Sequence, residues 1–274
     1  MTATVEVHGV DMTFSGRRGT VQALQEIDLS VAAGEFVALI GPSGCGKSTL
    51  LRIIADLQVP SSGTVTVAGK SAAQARLDQE YGFAFQQAGL LDWRTVRANI
   101  ELPLQLHGVD GDARRRRVSE LLGLVGLEDF AEHRPPQLSG GMQQRVAIAR
   151  ALAEKPALLL MDEPFGALDE MTRERMQDEL VRITDETGAA VLFVTHSIPE
   201  AVFLADRVVV MSPRPGRISQ VVEIGLGERN ADTREAHEFY AAITTVREAL
   251  RGRLGKGDGD GDGDGALVDS REAL

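Results

Sequence analysis

Gly41-Pro42-Ser43-Gly44-Cys45-Gly46-Lys47-Ser48 is a complete G-x-x-x-x-G-K-S, set between an apolar run ending at Ile40 and a helical pattern behind it. The glycines let successive backbone N–H groups turn inward as a nest for phosphate oxygens, at a helix N-terminus whose dipole also favours an anion. Lys47 is expected to reach the β- and γ-phosphates and the Ser48 hydroxyl to ligate Mg²⁺. With Thr49 behind it, the whole stretch is expected to bind a nucleoside triphosphate. A bound triphosphate needs a second metal anchor and a base, and Asp162-Glu163 ends the apolar run Ala157 to Met161. Both carboxylates then emerge at the carboxyl edge of a sheet, where α/β proteins hold their ligands. Asp162 can hold Mg²⁺ through water and Glu163 can polarise an attacking water. Alone, the pair could equally cap the next helix; beside the phosphate loop it completes a hydrolytic site.

Three further groups belong to this reading. His196 follows the run Ala190 to Thr195; a histidine at a strand end is commonly structural, yet here a contact to the γ-phosphate fits. Gln86, in Phe85-Gln86-Gln87, stands between a β-rich part and a helical middle, where it could sense the metal or the water. Leu138-Ser139-Gly140-Gly141-Met142-Gln143-Gln144-Arg145 offers the Ser139 side chain and the amides of Gly140 and Gly141 as a second anion-binding helix terminus. One triphosphate already has its nest, so this second terminus is expected to cap the triphosphate of another copy in a dimer. Cys45 admits two readings, a thiolate activated by the helix terminus or an inert small residue.

The elements that position these groups follow from pattern. Thr4 to Val10, Ile27 to Val31 after a turn at Gly16 to Gly19, and Glu35 to Ile40 are expected strands, and Thr49 to Leu57 a helix. From Trp93 to Leu152 the pattern is mostly helical, with Val118, Leu121, Leu122 and Val125 on one face and Arg114 to Arg117 before them read as a solvated helix end. After Ala157 strands and helices alternate: a helix from about Arg173 to Thr187, Ala190 to Thr195, a helix starting at Ser197-Ile198-Pro199-Glu200, and Arg207 to Met211. Thr233 to Leu254 is expected to form one helix burying Phe239, Ile243, Val246 and Leu250. Gly255 to Gly265 alternates glycine and aspartate and reads as a flexible tail. Asp258, Asp260, Asp262 and Gly263 fit a calcium loop, but its twelfth place is Asp269, not a bidentate glutamate.

Composition bounds the rest. The chain has 274 residues, 43% apolar and 25% charged, as in ordinary globular proteins. No apolar run approaches the ~18 residues of a membrane span, and no secretory signal is visible, so a cytoplasmic location is expected. One cysteine excludes an internal disulfide framework, and a net charge of −11 argues against nucleic acid as a partner.

These motifs, in this order, resemble the nucleotide-binding subunit of an ATP-binding cassette (ABC) transporter over about residues 4 to 220, with Leu138 to Arg145 as the most specific element. The resemblance implies a P-loop NTPase core with a mostly parallel sheet, an N-terminal antiparallel β subdomain and an inserted helical subdomain at about 87–152. It implies a cassette over 1–225, a helical extension over 226–254 and a tail over 255–274. It also implies ATP and Mg²⁺ as ligands, Phe14 stacking on adenine, Gln86 transmitting the state of the site and ligating metal, Asp169 at the dimer interface beside nucleotide, Glu163 as catalytic base and His196 as switch. The implied partners are a second cassette, transmembrane permease subunits and, indirectly, an extracytoplasmic solute-binding protein, with the chain on the cytoplasmic side of the inner membrane.

Leu90 to Arg94, Glu170 to Arg173, His196 to Ala201 and Ser212-Pro213-Arg214-Pro215-Gly216-Arg217-Ile218 resemble importers for nitrate, sulfonates, taurine and pyrimidine-type thiamine precursors. Asp92 stands where many members have proline and Asp56 where glycine is usual. A soluble cassette ATPase acting on DNA or ribosomes is the alternative, but such chains usually carry two cassettes or a long coiled-coil insertion. A regulatory ATP-binding module built on residues 221–274 is a third reading; that segment is short and glycine-rich.

Overall fold

A computed structural model describes residues 3–16, 19–166 and 168–254. The Gly255 to Gly265 tail and the calcium-loop positions Asp258, Asp260, Asp262, Gly263 and Asp269 lie outside the described residues.

The chain opens with a hairpin, β1 (Ala3–Gly16) and β2 (Gly19–Ala32), followed by β3 (Phe36–Ile40), α1 (Lys47–Ile54), β4 (Ser62–Val67), β5 (Lys70–Ser71), α2 (Ala72–Leu77) and β6 (Tyr81–Ala84). Helices α3 (Val96–Leu106), α4 (Gly111–Leu124) and α5 (Gly140–Ala151) form the middle. Then come β7 (Leu158–Asp162), α6 (Glu170–Thr187), β8 (Ala190–Val194), α7 (Ile198–Leu204), β9 (Arg207–Met211), β10 (Ile218–Glu223) and α8 (His237–Leu254). A four-stranded antiparallel sheet runs β2-β1-β4-β5; a six-stranded sheet runs β10-β9-β3-β8-β7-β6, parallel except for β10.

The six-stranded sheet is apolar on both faces, as a covered parallel sheet must be. Val37, Leu39, Leu158, Leu160, Leu192 and Val194 face α1 and the antiparallel sheet; Phe36, Ala38, Ile40, Leu159, Met161 and Phe193 face the helices. Helix α1 is enclosed between the two sheets, with Leu50, Leu51, Ile53 and Ile54 all buried. Strand-end residues therefore sit on a platform packed from both sides.

The structure corrects several boundaries. The first two strands are 14 residues each, longer than their apolar alternation, because shifts of register around Val7–Val10 and Val10–Met12 break the alternation while the pairing continues. Helix α1 ends at Ile54 and not Leu57: Asp56 takes a left-handed φ of 49° and pairs with Arg76 at 3.0 Å, leaving Leu57 exposed. Asp56 thus terminates the helix in the conformation glycine would take. Helix α6 begins before Arg173 because the Asp169 carboxylate accepts from the Thr172 N–H at 3.0 Å. Helix α8 begins at His237, after a short turn capped by Asn230, and buries Phe239, Ile243 and Val246. Arg114 to Arg117 is not simply a solvated end. Arg114 pairs with Glu101 at 2.9 Å, and Arg117 donates to the carbonyls of Leu152 and Ala153 at 2.7 and 3.0 Å, tying α4 to the end of α5.

Candidate nucleotide site

Strand β3 runs directly into the loop Gly41 to Gly46, flanked in parallel by β8 and β9. The turn before α1 requires Gly46: its φ is 105°, and a Cβ there would stand 2.5 Å from Leu24 Cδ2. Lys47 is buried, and its ammonium donates to the carbonyls of Gly41 at 2.8 Å and Pro42 at 3.2 Å, folded across the loop. The Cys45 side chain is buried in the core beneath the loop. Cys45 does not line the cavity over the loop, and the inert reading of its thiol fits that burial. Phe14, Ser43, Gly44, Lys47, Thr49 and Glu163 are among the residues lining a cavity of about 370 Å³ over the loop. Phe14 is presented there from β1, paired with Val21 of β2.

The two carboxylates arrive from the end of β7. The Ser48 hydroxyl donates to Asp162 Oδ1 at 2.7 Å. Burial pushes the Asp162 carboxyl above its ordinary value, reinforced by the neighbouring Glu163 charge and opposed by the Ser48 hydrogen bond. Glu163 adopts a φ of 48°, a left-handed conformation that costs a non-glycine residue about 1–3 kcal/mol and persists only where its surroundings enforce it. Here its N–H donates to the Val194 carbonyl at 2.9 Å, stitching β7 to the end of β8. That contact brings His196 alongside: His196 Nδ1 lies 3.4 Å from Glu163 Oε2. Loop, carboxylates and histidine, far apart in sequence, meet at one sheet edge.

Gln86 is exposed and lies outside the residues lining the cavity; its amide nitrogen approaches Gly166, 3.4 Å from where a Cβ would stand. Helix α5 holds its segment: Arg150 donates to the carbonyls of Ala88 and Gly89, both at 2.8 Å, and Gln144 reaches the Phe85 carbonyl at 3.5 Å. Ser139 caps α5, accepting from the Met142 N–H at 3.3 Å. Ser139 and Gly141 line a different cavity, about 610 Å³ between α5 and α6, that shares no residue with the one over the phosphate loop. Gly140 lies against Leu168, and Asp169 is exposed at the cap of α6. Within one chain, then, the Ser-Gly-Gly terminus does not reach the phosphate loop's cavity.

Two residues have places in the structure that no motif role anticipates. Arg214 lines the cavity from the β9–β10 hairpin. Asn99, fully buried in α3, accepts from the Leu91 N–H at 2.8 Å and donates to the carbonyls of Leu91, Arg94 and Thr95. The visible signal for Asn99 was a polar residue one turn past a Thr cap on an otherwise apolar face.

Comparison with known proteins decides the family. The model of the ABC transporter family matches residues 24–166. The chain belongs to the ABC transporter family. This ATP-binding cassette is 44% identical to a nitrate import ATP-binding protein of Synechocystis sp., over 91% of this chain and 96% of the relative. It is 46% identical to the taurine import ATP-binding protein TauB of Rhizobium johnstonii, again over 91% and 96%. A solved dimeric cassette in a post-hydrolysis state bound to ADP and Pi superposes with a TM-score of 0.71 at 37% identity, covering 81% of this chain and 99% of that one. The cassette is an ATPase that binds ATP and serves a transport system, with the P-loop NTPase architecture expected. Among the described residues no helix is long and apolar enough to cross a membrane.

Proposed function

We propose that this cassette powers the import of a small anion or organic solute of the nitrate, sulfonate, taurine or pyrimidine-precursor type, working as one of two cassettes beneath a pair of permease subunits on the cytoplasmic face of the membrane. An extracytoplasmic binding protein would deliver the solute. The identities near 45% to nitrate and taurine import ATP-binding proteins support the solute class. The cassette would span 1–225, with the helical insertion at 87–152 as its mobile part and 226–254 as an extension packed on it.

One observation carries the catalytic reading: Lys47, Ser48, Asp162, Glu163 and His196 converge at one sheet edge. The loop amides and Lys47 hold the β- and γ-phosphates, and Phe14 stacks on the adenine. Glu163 orients a water against the γ-phosphate and takes its proton, and His196, beside that carboxylate, contacts the same phosphate.

The donor set fits a hard divalent cation, since Ser48 and Asp162 offer two oxygens within hydrogen-bond reach of each other. Mg²⁺ takes few protein ligands and completes its shell with phosphates and water. Ser48, Asp162 and Gln86 would hold it, and it would neutralise charge developing on the phosphates. Ser139, Gly140 and Gly141 cap the triphosphate of the opposite cassette, with Asp169 at the same interface. That arrangement explains a Ser-Gly-Gly helix terminus remote from its own phosphate loop.

The test is Glu163→Gln. With hydrolysis blocked and binding intact, the variant is expected to elute as a dimer on gel filtration with Mg·ATP and as a monomer without it. Monomer under both conditions, with or without the membrane partner, would overturn the capping arrangement.

A further inference from the structure

The hairpin Ser212 to Arg217 belongs to the importer-like stretches but carries no role in the site described above, yet it lies against the phosphate loop. It follows β9, whose parallel neighbour β3 leads into that loop, so both emerge at the same sheet edge. Its backbone is fixed from two sides. The Gly216 N–H donates to the Ala23 carbonyl and the Gln25 N–H to the Gly216 carbonyl, both at 2.9 Å, joining it to β2. A Cβ on Gly216 would run into the Cys45 carbonyl, so the hairpin is pressed against the loop with no space between. Within the hairpin the Ser212 N–H donates to the Arg217 carbonyl at 2.9 Å and the Arg217 N–H to Ser212 Oγ at 3.0 Å. Arg217 reaches outward to Gln25 at 3.1 Å and Glu26 at 3.4 Å.

Arg214 is at the tip of this clamped hairpin. Its Nη2 lies 3.3 Å from where a Cβ would stand on Gly44, and both residues line the cavity over the loop. Among the described residues its guanidinium makes no hydrogen bond or ion pair, whereas Arg217 beside it makes both. Lys47 and Arg214 are the two cations lining the cavity. Lys47 is buried and turned to the inner end of the loop, while Arg214 stands at the outer end, and the same β2 strand that holds its hairpin carries Val21, the partner of Phe14.

We infer that Arg214 is a further phosphate ligand of the bound nucleotide, contacting the phosphate nearest the sugar, between the nest and the aromatic platform. The inference rests on the reading of this cavity as the nucleotide site. An arginine suits the place, because its planar fork meets two phosphate oxygens at once and keeps its charge at any working pH. The ligand class is a nucleoside di- or triphosphate, with Arg214 indifferent to the base.

The experiment measures Kd for Mg·ADP and Mg·GDP on the full chain, by displacement of a fluorescent nucleotide, for wild type, Arg214→Gln, Arg214→Lys and Lys47→Ala. The expected result is that Arg214→Gln weakens ADP and GDP by the same factor, about tenfold, with a shallower salt dependence, and that Arg214→Lys recovers part of the loss. Unchanged ADP affinity in Arg214→Gln would overturn the inference. So would a loss for ADP much larger than for GDP, which would place the guanidinium on the base. Lys47→Ala separates the two levels: if it too binds ADP like wild type, the nucleotide-cavity reading itself falls, whereas a large loss there beside an inert Arg214→Gln condemns Arg214 alone.

Discussion

At the scale of single residues, Lys47 shows how the phosphate loop keeps its shape. Its ammonium is held by two carbonyls of the loop it will serve, so the loop is ordered around a cation. Lys47→Ala removes both that brace and the charge facing the γ-phosphate. The expected loss in ATP hydrolysis is about three orders of magnitude, on the order of 4 kcal/mol of transition-state stabilisation. Turnover near the wild-type rate, followed by phosphate release, would contradict the role. Glu200 is a second residue whose chemistry can be read directly. It is 5% exposed; burial pushes its carboxyl above the ordinary value, and hydrogen bonds from Thr195 and Gln177 pull it part of the way back. A carboxyl whose folded value is raised favours the fold below its unfolded value of 4.5, and that contribution is lost as pH rises through the raised folded value. Glu200→Gln should therefore gain on wild type in unfolding free energy as pH rises from about 4 to about 8. Urea melts whose difference stays flat over that window would show that the burial cost is already cancelled.

At the scale of elements, what could be read from sequence was what carries an unbroken pattern. The runs Ala157 to Met161, Ala190 to Thr195 and Arg207 to Met211 are nearly all apolar because both sheet faces are covered, and each holds a strand, at Leu158–Asp162, Ala190–Val194 and Arg207–Met211. Strands β4, β6 and β10 gave no such signal. The first is largely exposed, the last alternates only loosely, and β6 is four residues long. β6 also contains Gly82, which reads as a breaker but is demanded by contact with the Ala151 backbone. The phosphate loop, the carboxylate pair and His196 were legible because their chemistry fixes residue type; Arg214 and Asn99 were not, because their meaning lies in where a hairpin and a helix come to rest. Asn99 is the element-scale test. It satisfies one N–H and shares two carbonyls within the segment Leu91–Arg94, which carries Trp93, 72% exposed. Asn99→Ala leaves the Leu91 N–H without its partner and is expected to cost about 1–3 kcal/mol, read as a lower denaturation midpoint with unchanged slope. A cost within error would mean that the segment re-forms its bonds elsewhere.

At the scale of the whole molecule, the six-stranded sheet divides the chain into two cores, one holding α1 and the antiparallel sheet and the other holding the helices. The nucleotide cavity belongs to the first core; Ser139, Gln86 and the exposed Trp93 belong to the second or its margin. This division suits a head-to-tail pair in which the nucleotide side of one cassette would meet the Ser139 side of the other. Gentle detergent extraction of the tagged protein from its native membranes is expected to bring down a polytopic membrane protein identifiable by mass spectrometry. Reproducible recovery of soluble, ribosomal or DNA-associated partners alone would sink the importer reading while leaving the ATPase site as described.

The contact of Gly216 with the Cys45 carbonyl reaches beyond Arg214. With no gap between hairpin and loop, and with the hairpin bonded to β2, the phosphate loop, the β1–β2 arm and the end of β9 are wedged into one block. Such close packing leaves little room for local give behind the phosphates. In the proposed cycle displacement would fall to the parts held by side chains rather than by backbone wedging, the Gln86 to Arg94 segment hung from Arg150 and Asn99. In mechanical terms, the proposed cycle would have the nucleotide push against an anvil and the stroke delivered on the helical side.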